Sequence, residues 1–143
     1  RTIRRRRECM GCGRRFTTYE TIEVQPILVV KNDGTRQAFD VSKIKRGIIK
    51  ACEKRPVPIE KIDALADDIT KKLYNSMAQE VSSKQIGEMV MEGLKELDEV
   101  AYVRYASVYR SFKDISSFMR ELQQMMEYKA EEEQKGERRA EKN

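Results

Sequence analysis

The chain has 143 residues, of which 39% are hydrophobic and 37% are charged, and its formal net charge is +5. That length suits one ordinary domain or two small ones and excludes a large enzyme barrel. No apolar run approaches the roughly 20 residues that cross a bilayer, and no apolar signal-peptide core follows the N-terminal charges, so we expect a cytoplasmic protein with no membrane partner.

The positive charge is concentrated in the first 20 residues. They contain seven arginines and two glutamates, a balance of +5, so the remaining residues balance at zero. Charge confined to one end of a neutral body indicates that a polyanion binds at that end. In an extended chain the side chains of Arg4 and Arg6 project opposite to those of Arg5 and Arg7. A solvated basic tail is the alternative that charge alone leaves open.

The arginines flank a cysteine pair with the spacing of metal ligands. In Cys9-Met-Gly-Cys12-Gly13 a tight turn brings both thiolates toward one ion, and glycine accepts the positive φ of such a turn. A structural zinc site takes four ligands, but the chain has no histidine, and we assign its third cysteine, Cys52, to the core. We therefore expect another Cys-x-x-Cys to have preceded Arg1. A redox pair and two free thiols remain the alternatives.

A β-hairpin is predicted after the cysteine turn. Residues 17–24 are β-prone, and Pro26 separates them from the apolar run 27–30. The turn sequence Lys-Asn-Asp-Gly follows, with glycine where a positive φ is needed, and residues 35–39 return as the partner strand. The sequence thus predicts a boundary between modules at the proline and a hairpin with Lys31 at its tip.

Four amphipathic helices are predicted after the hairpin. Asp40 caps the first, whose apolar spacing runs to Arg55 before Pro56 and Pro58 stop it. Four helices with apolar stripes under a small sheet make an α+β domain of about one hundred residues. The starts of the other three helices are marked by Ile59, by the capping box of Ser82 with Gln85, and by Asp98.

The last part of the chain is predicted to lengthen the fourth helix. Apolar residues continue beyond Phe112 at helical spacing, a stripe that more often serves packing or a subunit contact than ligand binding. Residues 130–143 have almost no apolar side chains, so we expect them to fray into a solvated tail. The stripe consists of Ile115, Phe118, Met119, Leu122, Met125 and Met126.

Two lysines suggest an anion site on the helical domain. The hairpin returns the chain directly into the first helix, so Lys31 and Lys43 can converge beside a helix N-terminus, which suits a triphosphate. Two solvated lysines are the simpler alternative. The sequence has neither a G-x-x-x-x-G-K-[ST] nor a G-x-G-x-x-G motif, which excludes P-loop and Rossmann chemistry. Because we find no base or metal-carboxylate motif for nucleotide hydrolysis, we predict that the chain is not an enzyme.

Three stretches resemble the NrdR family, bacterial transcriptional repressors of ribonucleotide reductase genes. Residues 3–20, Ile-Arg-Arg-Arg-Arg-Glu-Cys-Met-Gly-Cys-Gly-Arg-Arg-Phe-Thr-Thr-Tyr-Glu, resemble the second half of the family's zinc ribbon. Residues 29–34, together with Phe39 and residues 43–44, look like the opening of its ATP cone. Residues 98–112 look like the final helix of that cone.

The resemblance implies a division into three parts and a set of site residues. The parts are a zinc-ribbon DNA-binding module at 1–26, an ATP cone at 27–118, and a helical extension with a charged tail at 119–143. The implied zinc ligands are Cys9 and Cys12. The implied DNA-facing residues are Arg4, Arg5, Arg6, Arg7, Arg14 and Arg15. The implied nucleotide-binding residues are Val30, Lys31, Asn32, Lys43, Ile44 and Tyr102.

The function implied by the resemblance is repression that responds to a nucleotide. A homo-oligomer would bind double-stranded operator DNA of ribonucleotide reductase genes in the bacterial cytoplasm, at the nucleoid, with zinc as cofactor and ATP or dATP as the effector that changes the oligomer. The alternative is an allosteric ATP-cone domain of a ribonucleotide reductase subunit, against which the arginine and cysteine segment argues. A generic protein-interaction module is a further alternative.

Overall fold

The structure is a computed structural model, and it describes residues 2–21, 25–110 and 112–142. These residues form two small sheets and five helices, which confirms the predicted α+β class. The elements in chain order are β1 (Thr2–Glu8), β2 (Arg15–Thr21), β3 (Leu28–Val30), β4 (Arg36–Ala38), α1 (Val41–Ala51), α2 (Ile59–Asn75), β5 (Glu80–Ser82), α3 (Ser83–Leu97), α4 (Glu99–Tyr109) and α5 (Ile115–Glu141).

The first sheet is an antiparallel hairpin of β1 and β2, which we call the ribbon. The turn between its strands is closed by two backbone hydrogen bonds, from the N–H of Gly13 to the carbonyl of Cys9 at 2.8 Å and from the N–H of Cys9 to the carbonyl of Arg14 at 2.9 Å. Gly13 has a φ of +70°, the conformation for which the turn needs glycine. The β-prone segment predicted over 17–24 is β2, which begins two residues earlier, while residues 22–24 lie outside the described residues.

The second sheet has three strands in the order β4-β3-β5. β3 and β4 form the predicted hairpin, whose turn has Gly34 at φ +86° and a side-chain oxygen of Asp33 that accepts from the backbone N–H of Thr35 at 2.9 Å. β5 adds a parallel strand to β3 and was not predicted. It places the start of α3, which follows β5 directly, beside the hairpin.

Helices α1 to α4 begin where the sequence predicts. Side-chain oxygens of Asp40 and Asp98 cap α1 and α4, and Ser82 with Gln85 forms the capping box of α3. The extension of the first helix to Arg55 is wrong, since α1 ends at Ala51. The chain reverses there through Lys54, which has a positive φ of 58°, so the residues before Pro56 cannot continue the helix.

One hydrophobic core joins helices α1 to α4 and the three-stranded sheet, and Met125 of α5 also belongs to it. Its fully buried members come from α1, α2, α3 and α4, and Val81 of β5 is buried with them. Cys52 is 6% exposed and belongs to this core, as predicted. Among the described residues, the core consists of Ile27, Ile48, Ala51, Cys52, Ile62, Ile69, Leu73, Val81, Val90, Met91, Leu94, Ala101, Tyr102, Ala106 and Met125.

Two predictions about the last helix are wrong. The fourth helix does not continue, because α4 ends at Tyr109 and α5 begins anew at Ile115, where a side-chain oxygen of Asp114 accepts from the backbone N–H of Ser117 at 2.7 Å. The final segment does not fray, since α5 runs to Glu141 with its last turns fully exposed. Within the described residues, no helix combines the length and the apolar character needed to cross a bilayer.

Candidate functional site

The cysteine turn of the ribbon has the geometry of half a zinc site. The pKa of Cys9 is lowered because the backbone N–H groups of Cys12 and Gly11 donate to its sulfur. A Cβ added at Gly11 would lie 3.9 Å from that sulfur, an ordinary van der Waals contact. A sulfur that accepts amide hydrogen bonds beside a second exposed cysteine suits zinc. In the described part of the chain no third acidic, histidine or cysteine side chain joins them, so this pair would supply two of four ligands.

The arginines of the ribbon form the candidate nucleic-acid interface. All six candidates, Arg4, Arg5, Arg6, Arg7, Arg14 and Arg15, are exposed. Alternation along β1 divides four of them between the two faces of the ribbon, as the extended-chain argument predicts. The two faces differ in ion pairing, because the carboxylate of Glu20 contacts Arg5 and Arg7 on one of them.

A cavity of about 370 Å³ lies where the hairpin of β3 and β4 meets α1, α3 and α4. Four of the six predicted nucleotide-binding residues line it, namely Lys31, Asn32, Lys43 and Ile44. Lys31 comes from the hairpin turn and Lys43 from the first turn of α1, because the hairpin leads straight into that helix. The structure therefore brings both lysines to one cavity.

The cavity combines an apolar and aromatic wall with a charged rim that carries two lysines and Asp40. Val29, Ile44 and Ile86 contribute half-buried aliphatic surface, and the rings of Tyr105 and Tyr109 stack with centroids 5.9 Å apart. At the rim, the ammonium of Lys43 donates to the side-chain oxygen of Gln37 at 3.0 Å. A nucleotide matches this arrangement, because its purine can pack against the apolar side chains and its phosphates can bind the ammonium groups.

Tyr109 closes one side of the cavity and is held there by α3. Its hydroxyl donates to the backbone carbonyl of Lys84 at 2.8 Å, and its ring packs on Gly87, where an added Cβ would lie 2.2 Å from the ring. Burial raises the pKa of Tyr105 and of Tyr109, with a smaller contribution from the neighbouring tyrosine for Tyr105 and from Glu88 for Tyr109. Both hydroxyls therefore stay protonated at neutral pH.

Two predicted nucleotide-binding residues lie elsewhere. Val30 is half-buried on β3 opposite Arg36 and is not among the residues that line the cavity. Tyr102 is 2% exposed in the core, where its hydroxyl donates to the carboxylate of Glu121 on α5. Tyr105 and Tyr109, which line the cavity, were not among the residues selected from the sequence. The spacing of Tyr105 and Tyr109, one helical turn apart, was the available signal for a shared face.

Comparison with known proteins finds the same two modules in one chain. Residues 27–115 match the model of the ATP cone domain, and residues 1–20 match the model of the transcriptional repressor NrdR-like N-terminal domain. Together the two matches cover both candidate sites, the arginine ribbon and the cavity.

Several similar proteins carry the name transcriptional repressor NrdR. The one from Caldicellulosiruptor saccharolyticus is 60% identical over 131 residues, which cover 92% of this chain and 86% of that protein. The one from Caldanaerobacter subterraneus subsp. tengcongensis is 59% identical over 133 residues, covering 93% and 84%. The one from Acetivibrio thermocellus is 61% identical over 127 residues, covering 89% and 84%. These relatives are regulators and not enzymes, and they give no support to the reductase-subunit alternative.

Proposed function

Since this chain belongs to the NrdR family of transcriptional repressors, we propose that it represses ribonucleotide reductase genes in the bacterial cytoplasm by binding duplex operator DNA through its ribbon. A nucleotide in the cavity controls that binding. One observation carries the proposal: a single chain contains both kinds of site. The ribbon has exposed arginines beside a zinc-type turn, and the cavity has an apolar wall and two lysines at its rim.

The proposed modules are the three parts that the resemblance implies, and the boundary after residue 118 falls inside α5. Residues 1–26 form the DNA-binding ribbon, residues 27–118 the nucleotide-binding cone, and residues 119–143 an extension. The cone part agrees with the range 27–115 that matches the ATP cone domain. Zinc would be held by Cys9 and Cys12 with two further ligands, and it would fix the turn that joins β1 to β2.

The effector is proposed to be ATP or dATP. Lys31, Asn32 and Lys43 would face the phosphates, while Ile44 and the stacked Tyr105 and Tyr109 would face the base and sugar. An aliphatic or aromatic wall against the sugar discriminates a hydroxyl from a hydrogen only modestly, so the difference between ATP and dATP must be amplified by assembly.

The proposed mechanism is a nucleotide-dependent change of homo-oligomer. A repressor that binds two operator half-sites needs its ribbons at a matching separation, and the assembly sets that separation. A nucleotide shifts the equilibrium between assemblies only by the difference between its affinities for them. We expect dATP and ATP to favour different assemblies, of which one matches the operator.

Gel filtration with ATP or dATP, combined with operator binding measured by fluorescence anisotropy, tests this function. We expect different elution volumes and an operator affinity that differs by at least about 5-fold between the two nucleotides, the lower end of ordinary allosteric coupling. The double variant Lys31→Ala with Lys43→Ala should lose the response, while Lys71→Ala, an exposed lysine on α2, should keep it. Identical elution and identical operator affinity with both nucleotides would contradict the switch.

A further inference from the structure

The two faces of the ribbon carry different chemistry. The strand register assigns Ile3, Arg5, Arg7, Phe16, Thr18 and Glu20 to one side, which we call the carboxylate face. It assigns to the other side, which we call the open face, Thr2, Arg4, Arg6, Glu8, Arg15, Thr17, Tyr19 and Thr21. Directly opposed residues of an antiparallel pair project to the same side, so this assignment follows from the pairing alone.

The arginines of the carboxylate face are held by an acidic partner. One carboxylate oxygen of Glu20 lies 2.6 Å from Nε of Arg5 and 3.6 Å from a terminal nitrogen of Arg7. Nε of Arg7 also donates to the hydroxyl of Thr18 at 2.8 Å. A phosphate that approached this face would be repelled by the Glu20 carboxylate. Arg5 and Arg7 would have to break their contacts with Glu20 before they could bind the phosphate.

The arginines of the open face have no acidic partner within the described residues. Arg6 donates to the hydroxyl of Thr17 at 3.1 Å, a neutral contact that orients the guanidinium without neutralising it. Glu8 lies opposite Arg15 in the strand register, but no ion pair of 4 Å or less joins them. Beside Arg4 lies Tyr19, whose side chain is 66% exposed.

We propose that the open face is the surface of the ribbon that enters the major groove of duplex DNA, with Arg4 and Arg6 as its main contacts. This inference rests on the proposed function and specifies its DNA-binding site. The major groove admits a two-stranded ribbon, and guanidinium groups without a carboxylate partner complement its phosphates and guanine edges. The carboxylate face, with the apolar side chains of Ile3 and Phe16, faces away from the DNA.

Two double variants with the same loss of charge test the assignment. Arg4→Ala with Arg6→Ala and Arg5→Ala with Arg7→Ala each remove two arginines from β1, and operator affinity is measured over a series of salt concentrations. We expect the first to lose about 10-fold or more in affinity and to reduce the slope of log affinity against log salt by about 1 to 2. The second should lose less than about 3-fold. Circular dichroism and zinc content serve as folding controls for both.

A third variant, Glu20→Gln, separates a binding role from a structural one. It frees Arg5 and Arg7 but leaves the open face intact, so operator affinity should stay the same or rise, and the salt dependence should not fall. Equal losses in the two double variants, or a loss of 10-fold in Glu20→Gln with folding unchanged, would overturn the face assignment while the proposed function stands. Failure of the unaltered protein to bind any duplex would instead refute the proposed function and the assignment with it.

Discussion

A single carboxylate, that of Asp98, connects the start of α4 with the loop after α1. Its side chain is 8% exposed, accepts the backbone N–H of Ala101 at 2.9 Å to cap α4, and meets Nε of Arg55 at 3.0 Å in the loop after α1. Burial would raise the pKa of Asp98, but the hydrogen bonds from Ala101 and Arg55 outweigh it, and the pKa lies below its ordinary value. The sequence predicts the cap, whereas the partner 43 residues away is visible only in the structure.

The lowered pKa of Asp98 makes its contribution to stability dependent on pH. Because the folded state holds the carboxylate in its charged form, the stabilisation is present above about pH 4 and is lost as pH falls through the folded pKa. We expect Asp98→Asn to lower the free energy of unfolding by about 1–2 kcal/mol at pH 7, since Arg55 loses its charged partner. Urea unfolding at pH 7 and pH 3 measures the difference.

The control for this variant is Asp114→Asn, which changes an exposed cap at the start of α5. Asparagine caps a helix about as well as aspartate, so its effect should stay within about 0.5 kcal/mol. The difference in free energy of unfolding between Asp98→Asn and the unaltered protein must be smaller at pH 3 than at pH 7. A gap of the same size at both pH values would contradict the role assigned to the charge.

Gly87 permits the close approach of α3 to the ring of Tyr109 at the cavity wall. In Gly87→Ala the new Cβ would overlap that ring, so the tyrosine must move and lose its hydrogen bond to Lys84. We expect nucleotide affinity to fall about 10-fold and the free energy of unfolding to drop by about 1–3 kcal/mol. Isothermal titration with ATP and dATP measures the first effect.

Gly136→Ala is the matched control for the glycine substitution. Gly136 also lies inside a helix, but an added Cβ there meets no atom within 4 Å. It should leave nucleotide binding unchanged and stabilise the protein by up to about 1 kcal/mol. If Gly87→Ala binds nucleotide as tightly as Gly136→Ala does, Tyr109 is not part of the site.

At the scale of elements, one buried carboxylate links α5 to α4. Glu121 is 6% exposed and accepts a hydrogen bond from the hydroxyl of Tyr102 on α4. One of its carboxylate oxygens lies 3.2 Å from a terminal nitrogen of Arg110, the residue that follows α4. The pKa of Tyr102 lies well above its ordinary value. Burial is the main cause, and the hydrogen bond to the Glu121 carboxylate raises the pKa further. The phenol therefore remains a hydrogen-bond donor at neutral pH.

Glu121→Gln should loosen α5 without unfolding the cone. The amide can still accept from Tyr102 but cannot pair with Arg110, and we expect a loss of about 1–3 kcal/mol. Hydrogen exchange should become faster in residues 115–128 and stay unchanged in α2. Glu132→Gln, which affects only an exposed contact to Lys135 at 3.4 Å in the same helix, should leave exchange as it is. Uniform exchange changes across the cone would contradict a local role for the carboxylate.

Elements with local signals could be predicted, and elements defined by distant contacts could not. The caps at Asp40 and Asp98 and the turn at Gly34 follow from neighbouring residues. β5 has three residues, and its partner β3 lies about fifty residues earlier, so no local pattern marks it. The cavity illustrates the same limit, since its lysines adjoin a predicted turn while its tyrosines arrive through the packing of α4.

The errors at α5 have two physical causes. Apolar spacing continues across the break after Tyr109, which conceals the new start, although Asp114 three residues before Ser117 is a capping signal that was available. The final segment has few apolar residues, which correctly indicates exposure. Its glutamate, lysine, arginine and alanine residues are nonetheless strong helix formers, so absence of packing does not imply absence of helix.

At the scale of the whole molecule, the ribbon and the cavity must influence each other equally. If bound nucleotide changes operator affinity by a given factor, operator DNA must change nucleotide affinity by the same factor, because both describe one coupling free energy. We therefore compare two ratios. The first is the factor by which operator duplex changes the ratio of dATP affinity to ATP affinity. The second is the ratio of operator affinity with dATP to operator affinity with ATP, and we expect the two to be equal. Isothermal titration of each nucleotide with and without duplex tests the equality.

The double variant Arg4→Ala with Arg6→Ala supplies the decisive control for this linkage. Its cone is unaltered, so it should bind both nucleotides as the unaltered protein does when duplex is absent. At a duplex concentration below the variant's weakened dissociation constant, added duplex should shift its nucleotide affinities much less than those of the unaltered protein, because only bound duplex can shift the equilibrium. A nucleotide preference that duplex alters in this variant as strongly as in the unaltered protein would mean that the DNA acts on the cone directly and not through the ribbon.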